Sequence, residues 1–179
     1  MTFAPDYVEP VVAWRAWKVV RSGGRSRLSS LFVALTWTPD AATTARCMAW
    51  RAPWRWLRSR HEAPSVECDC GIYATTLAVL AEHLTPRTLA SPGVQRIVVG
   101  RVSLWGSVVE CVNGWRAENA YPERLFVPQF EWRSEEQAAA VAADLADYRV
   151  PVELLDCPPE DLFDRAGALV RPLVVRPAA

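Results

Sequence analysis

Apolar positions along the chain come in two rhythms, one of period two and one of three to four, and they divide it into strand-like and helix-like stretches. VVAWRAWKVV (Val11–Val20) is dense in β-branched and aromatic residues, the composition of a half-buried strand. Gly23-Gly24 follows, a pair that tolerates positive φ and so predicts a hairpin turn into a second strand near Leu28–Leu35. TWTPDAATTARCMAW reads as a loop entering a short helix, with Thr43 or Thr44 as its cap, and Pro53 opens a further helical turn, PWRWLRSR. After Cys70, the residues Ile72, Tyr73, Ala74, Leu77, Leu80, Ala81 and Leu84 recur at spacings of three and four. That is one apolar face of a helix over Gly71–Leu84, closed by Pro86 and by Ser91-Pro92-Gly93.

Residues 94–133 carry the strongest strand pattern. Gly100 and Gly106 interrupt it and predict bulges or sharp bends of a coiled sheet, while Asn113-Gly114 predicts a type I′ hairpin turn. Ser134 followed by two glutamates caps a helix whose buried stripe includes Val141 and Leu145. RVPVELLD reads as a short strand, PPEDLFDRAGALV as a final helix and RPLVVRPAA as a tail. The sum is an α+β fold: a bent antiparallel, partly barrel-like sheet, a Cys/His zinc-stapled segment, and helices packed on one side. A length of 179 residues suits one domain. Its parts are an N-terminal hairpin (1–45), a Cys/His segment and helix (46–86), the sheet (94–133), a helix–strand–helix unit (134–171) and the tail (172–179).

Hydrophobic residues make up 51% of the chain and charged ones 22%, which excludes a disordered protein. The formal charge is zero but unevenly spread. Residues 1–60 hold ten Lys and Arg against three acids, a net +7, and residues 61–179 hold ten Arg against seventeen acids, a net −7. No stretch reaches the ~18 apolar residues of a membrane span, and the N-terminus lacks the apolar core of a secretory signal. The expected compartment is therefore the cytoplasm, where clustered Cys and His speak for metal or chemistry sooner than for disulfides.

The cluster in question is Cys47, His61, Cys68 and Cys70. Three roles compete for it: a metal site, a redox pair, or ordinary filling of a loop and core. Zinc takes four tetrahedral ligands from thiolate and imidazole, and a Cys3His set meets that count. Both sulfurs of Cys-x-Cys reach one ion only where the backbone turns sharply, and Gly71 supplies that turn. The helix expected to follow would favour thiolate through its dipole. A redox role calls for Cys-x-x-Cys beside a βαβ unit, and neither is evident. Four ligands argue for a closed structural zinc rather than a catalytic one.

ARCMAWRAPWRWLRSR places Arg51, Arg55 and Arg58 at helical spacing beside Trp50 and Trp54, flanked by Arg46 and Arg60. Such a surface suits a protein partner, or phosphates and unpaired bases. The plainer reading has the Trp residues packed and the Arg stems covering them. Trp115, Arg116, Glu118 and Tyr121 could line a pocket at one sheet edge, with aromatic walls, a cation and an anion; the plain alternative is a surface ion pair. No G-x-S-x-G, P-loop, G-x-G-x-x-G or H-E-x-x-H occurs, so an enzyme is the least supported reading.

HEAP…CDCGIYA, GRVSLWGSVVE and GWRAENAYP together resemble a family of small uncharacterised bacterial proteins, over the middle of the chain and the N-terminal hairpin. The resemblance implies that the three motifs work together; it implies no reaction. The expectation is a small cytosolic binding or adaptor protein with a structural zinc and a protein partner. Nucleic-acid binding through residues 46–60 is the second reading, and an enzyme with a pocket near Trp115–Tyr121 the third.

Overall fold

A computed structural model describes residues 9–47, 61–89 and 96–170 of the chain. The strands are β1 (Val11–Ser22), β2 (Arg25–Ser30), β3 (Thr43–Thr44), β4 (Ile72–Ala74), β5 (Ile97–Cys111), β6 (Gly114–Pro128) and β7 (Val152–Leu155). The helices are α1 (Leu77–His83), α2 (Pro86–Leu89), α3 (Glu135–Leu145) and α4 (Leu162–Leu169). The strands form one seven-stranded sheet in the order β2-β1-β5-β6-β3, with β4 and β7 also paired to β6.

The fold is α+β, as the two apolar rhythms predict. It departs from the expected architecture in three details. The sheet is mixed, because β7 runs parallel to β6 while the other pairs are antiparallel. It also curls without closing into a barrel: Thr75 reaches back to Trp14 through backbone bonds of 2.7 and 2.8 Å, a single bridge rather than a seam. The helices divide between the two faces instead of sharing one. On one face, Trp17, Leu28, Trp37, Leu104, Leu125 and Val127 pack with Val141 and Leu145 of α3. On the other, Ile97, Val99 and Phe126 meet Leu80 of α1 and Leu162, Phe163 and Ala166 of α4. A strand covered on both sides needs no polar alternation, which explains the unbroken apolar run Ile97–Val98–Val99, all fully buried.

Period two nevertheless survives in β1. Trp14 and Trp17, an odd number of positions apart, go to opposite faces. Trp17 meets Trp37 edge-on at 5.4 Å, and Trp14 stacks on Phe126 at 5.9 Å. Gly23 and Gly24 both have positive φ and make the two-residue turn between β1 and β2. The register of β5 on β6 shifts between Trp105 and Val108, a bulge that contains Gly106, as the interrupted pattern predicts. The hairpin turn itself lies one residue earlier than expected. Cys111 pairs with Gly114, so Val112 and Asn113 form the loop and Gly114, at φ 142°, starts β6. A Cβ on Gly114 would lie 2.2 Å from the Ala74 carbonyl oxygen, so only glycine lets β4 approach there.

Two expected helices yield to strand. Ile72–Ala74 was expected to open a helix; it pairs with Ala117, Arg116 and Trp115 as β4, and α1 begins only at Leu77, capped by the Thr76 hydroxyl. Thr43 and Thr44, expected as a cap, pair with Ala120 and Asn119 as β3. In both places an open strand edge captures a segment whose local pattern is ambiguous. The two short strands have a further relation. Thr43, Thr44 and Ala45 face residues 120, 119 and 118, and Ile72, Tyr73 and Ala74 face 117, 116 and 115. β3 and β4 are thus two halves of one strand along β6, parted by an excursion of the chain over residues 46–71.

Candidate metal centre

The neck of that excursion is where the cysteines meet. Cys47 lies two residues beyond Ala45, on the outgoing side. Cys68 and Cys70 lie just before β4, on the returning side, with His61 farther back. The Sγ atoms of Cys47 and Cys68 are 3.8 Å apart, and His61 Nε2 is 3.2 Å from Cys70 Sγ. The donor atoms of all four residues lie within 4.8 Å of one another.

These spacings fit one ion. Zn–S bonds of ~2.3 Å at a tetrahedral angle put two sulfurs about 3.8 Å apart, and a Zn–N bond of ~2.0 Å puts nitrogen and sulfur about 3.5 Å apart. The Cys47–Cys68 edge matches, and the His61–Cys70 edge needs to open by only a few tenths of an ångström. All four side chains are half-buried, shielded enough to favour ligation and open enough to load. Four protein donors would fill a tetrahedral shell and leave no position for a reacting water.

Local backbone explains why two cysteines one residue apart can share the point. Gly71 has φ 127°, a conformation side chains rarely adopt, and it turns the chain from the Cys68–Cys70 loop into β4. An added Cβ would also stand 3.0 Å from Arg116 Cβ and 3.1 Å from Pro64 Cβ. The helix dipole invoked for thiolate stabilisation plays no part, because β4 separates the cysteines from α1. Instead, burial pushes the Cys70 thiol up to about 11, with the neighbouring Cys68 and Cys47 adding to the rise and a hydrogen bond at the Ser65 backbone opposing it. The Cys70 thiol therefore resists ionisation in the metal-free protein, and a cation bound there would release its proton.

Arg116, expected in a pocket with Trp115, Glu118 and Tyr121, instead serves the cysteine loop, a role that reading along the chain misses. It is 3% exposed and points into the cysteine loop. Its Nη1 donates to the carbonyl of Cys68, to that of Cys70 at 3.1 Å and to that of Ser65 at 3.4 Å. Its Nε donates to Cys111 Sγ at 3.3 Å, and its guanidinium lies 5.9 Å from the centre of the Tyr73 ring. An Arg flanked by apolar positions in a strand was the available signal, but its partners lie about fifty residues away.

The other expected pocket residues do not gather with it. Glu118 accepts from the Ser107 N–H at 3.1 Å across the bulge. Tyr121 hydrogen-bonds the carbonyls of Pro39 and Tyr148, and Trp115 packs half-buried against the core. Each of the four serves a different neighbour. Arg46 is exposed beside Cys47; Trp50, Arg51, Trp54, Arg55, Arg58 and Arg60 lie outside the described residues. Among the described residues no helix is long and apolar enough to cross a membrane.

No protein-family model matches the chain, and no curated protein or solved structure does either.

Proposed function

We propose that this is a small cytoplasmic binding protein in which one structural zinc ion, held by Cys47, His61, Cys68 and Cys70, clasps the base of the 46–71 excursion, and that it works by contacting another protein. The observation that carries the reading is the placement of the four donors on both sides of a neck, within 4.8 Å of one another. Three soft sulfurs and an imidazole favour zinc over magnesium or calcium, which take oxygen donors. The filled shell supports a structural role over a hydrolytic one. All five cysteines are free thiols, which suits a reducing compartment. Phe32 and Val112, both almost wholly exposed, supply apolar points for a protein contact.

Purified protein should contain about one zinc per chain by elemental analysis, and Cys68→Ser should lose it together with a clear drop in Tm. Unchanged zinc content and unchanged Tm in that variant would remove the metal from the reading.

A second reading has one observation in its favour. The sequence from Arg46 to Arg60, which joins the first two donors, contains five Arg, three Trp and no acid. That composition suits a single-stranded nucleic acid, with phosphates on the guanidinium groups and bases on the indoles. It predicts affinity that falls with salt and with replacement of Arg51, Arg55 and Arg58; flat binding curves for DNA and RNA at low salt would dispose of it.

A further inference from the structure

Three cysteines and a histidine around a divalent cation leave one negative charge uncompensated, since three thiolates outweigh two positive charges. The loop that presents Cys68 and Cys70, residues 65–70, also turns the carbonyls of Ser65, Cys68 and Cys70 toward the interior. Both problems meet the same side chain. Arg116 stands on β6, on rigid backbone paired to β5 on one side and to β4 on the other. From there it reaches three carbonyls of the loop, including those of the ligands Cys68 and Cys70, and it does so from a nearly buried position. Among the described residues no carboxylate forms an ion pair with it. Its Nε is turned to another thiol, Cys111, which closes the β5–β6 hairpin and is not part of the four-residue cluster.

We propose that Arg116, oriented by Cys111, is the positioning cation of the metal centre: it fixes the Cys68–Cys70 loop in the ligating conformation and offsets the residual negative charge of the occupied site. The proposal rests on the metal reading above and adds a determinant of affinity that lies outside the ligand set. The guanidinium is suited to the task in a way an ammonium is not. It is planar and permanently charged, and its rigid geometry holds Nη1 on the carbonyls of residues 65, 68 and 70 while Nε reaches a sulfur. Its face lies near the Tyr73 ring, on the strand that continues from the loop. Groups that orient metal ligands in this manner typically change affinity about 10–100-fold when removed.

The test is metal affinity measured by chelator competition, on the full chain, with Co²⁺ as a spectroscopic probe and Zn²⁺ as the second metal. Wild-type protein should give the intense sulfur-to-cobalt charge-transfer and d–d bands of a tetrahedral three-sulfur site. Arg116→Lys, which keeps the charge but not the fork, should bind about 10-fold or more weakly. Cys111→Ala frees Nε without touching a ligand or a buried strand position, and should weaken binding about threefold or more. It serves as the second variant should Arg116→Lys fail to fold. Melting of the metal-free and metal-loaded forms separates positioning from mere packing. A purely structural Arg116 would lower both by the same amount and leave affinity unmoved, whereas a positioning residue narrows the gap between them.

Affinity within twofold of wild type in either folded variant overturns the proposal. A wild-type protein that takes up neither metal overturns the metal reading itself, and that result is distinguishable because no cobalt band appears at all.

Discussion

Tyr148 offers the sharpest test of how the crossover toward Cys47 is held. Its hydroxyl accepts a hydrogen bond from the Leu28 N–H at 3.1 Å and donates one to the Trp37 carbonyl at 2.6 Å, and the side chain is fully buried. It therefore ties the turn after α3 to β2 and to the segment that leads into β3 and Cys47. Tyr148→Phe keeps the ring and removes both bonds. Each of the two buried groups left without its partner costs ~1–3 kcal/mol, so the variant should lose about 2–6 kcal/mol. At ~2–4 °C per kcal/mol for a chain of this size, Tm should fall by roughly 4–24 °C. Urea unfolding followed by tryptophan fluorescence reads the loss directly, because Trp17 and Trp37 lie in the same core.

The same residue carries a pH signature. Burial pushes the phenol up to about 12, against the Leu28 hydrogen bond and Arg27, which favour ionisation. Its ordinary value is ~10. Between these limits the unfolded chain has given up a proton that the folded one retains. Stability from this group is therefore whole below about pH 10 and drains away as pH rises toward 12, by up to ~1.4 kcal/mol per pH unit. Tyr148→Phe should flatten that decline. A loss under ~0.5 kcal/mol at neutral pH, with an unchanged alkaline slope, would show that the hydroxyl is not the tie described.

The remaining expectations concern the neck and the core. Stripping metal with a chelator should speed amide hydrogen exchange in residues 61–71 while β1, β5 and α3 keep their protection, because neither core cluster draws on that loop; uniform loss of protection would contradict a local clasp. Gly114→Ala, with its Cβ 2.2 Å from the Ala74 carbonyl oxygen, should cost about 2 kcal/mol or more in urea unfolding and loosen β4. Trp17→Ala removes a fully buried indole and its edge contact with Trp37, and should cost ~3–5 kcal/mol by the same assay. A Trp17 variant of near wild-type stability would mean the core collapses around the gap.

What the chain discloses on its own depends on how local the cause is. The Gly23-Gly24 turn, the bulge at Gly106 and the Ser134 cap each follow from the conformational habits of one or two residues, and each is where the pattern puts it. The four donor residues are legible because their chemistry is rare. The apolar run Ile72–Ala74 misleads because three consecutive residues set no period of their own and continue the spacing of Leu77 and Leu80, and only the free edge of β6 decides between helix and strand. The division of helices between two faces escapes for a similar reason: an uninterrupted apolar strand says that both sides are covered without saying by what. Arg116 is hidden most deeply. An arginine in a strand is ordinary, and its meaning comes from carbonyls brought to it by the fold.

The parted strand along β6 makes the molecule modular at one point. Ala45 and Ile72 sit at successive rungs of the same ladder, facing Glu118 and Ala117, so the sheet already treats them as neighbours. A splice joining them would preserve register on both sides. By the same geometry, inserts of other lengths can be carried there, since doubling a loop adds only ~0.6 kcal/mol to its closure. Among the described residues, the Cys/His cluster and the Arg116 bonds to Ser65, Cys68 and Cys70 tie that inserted segment to the scaffold.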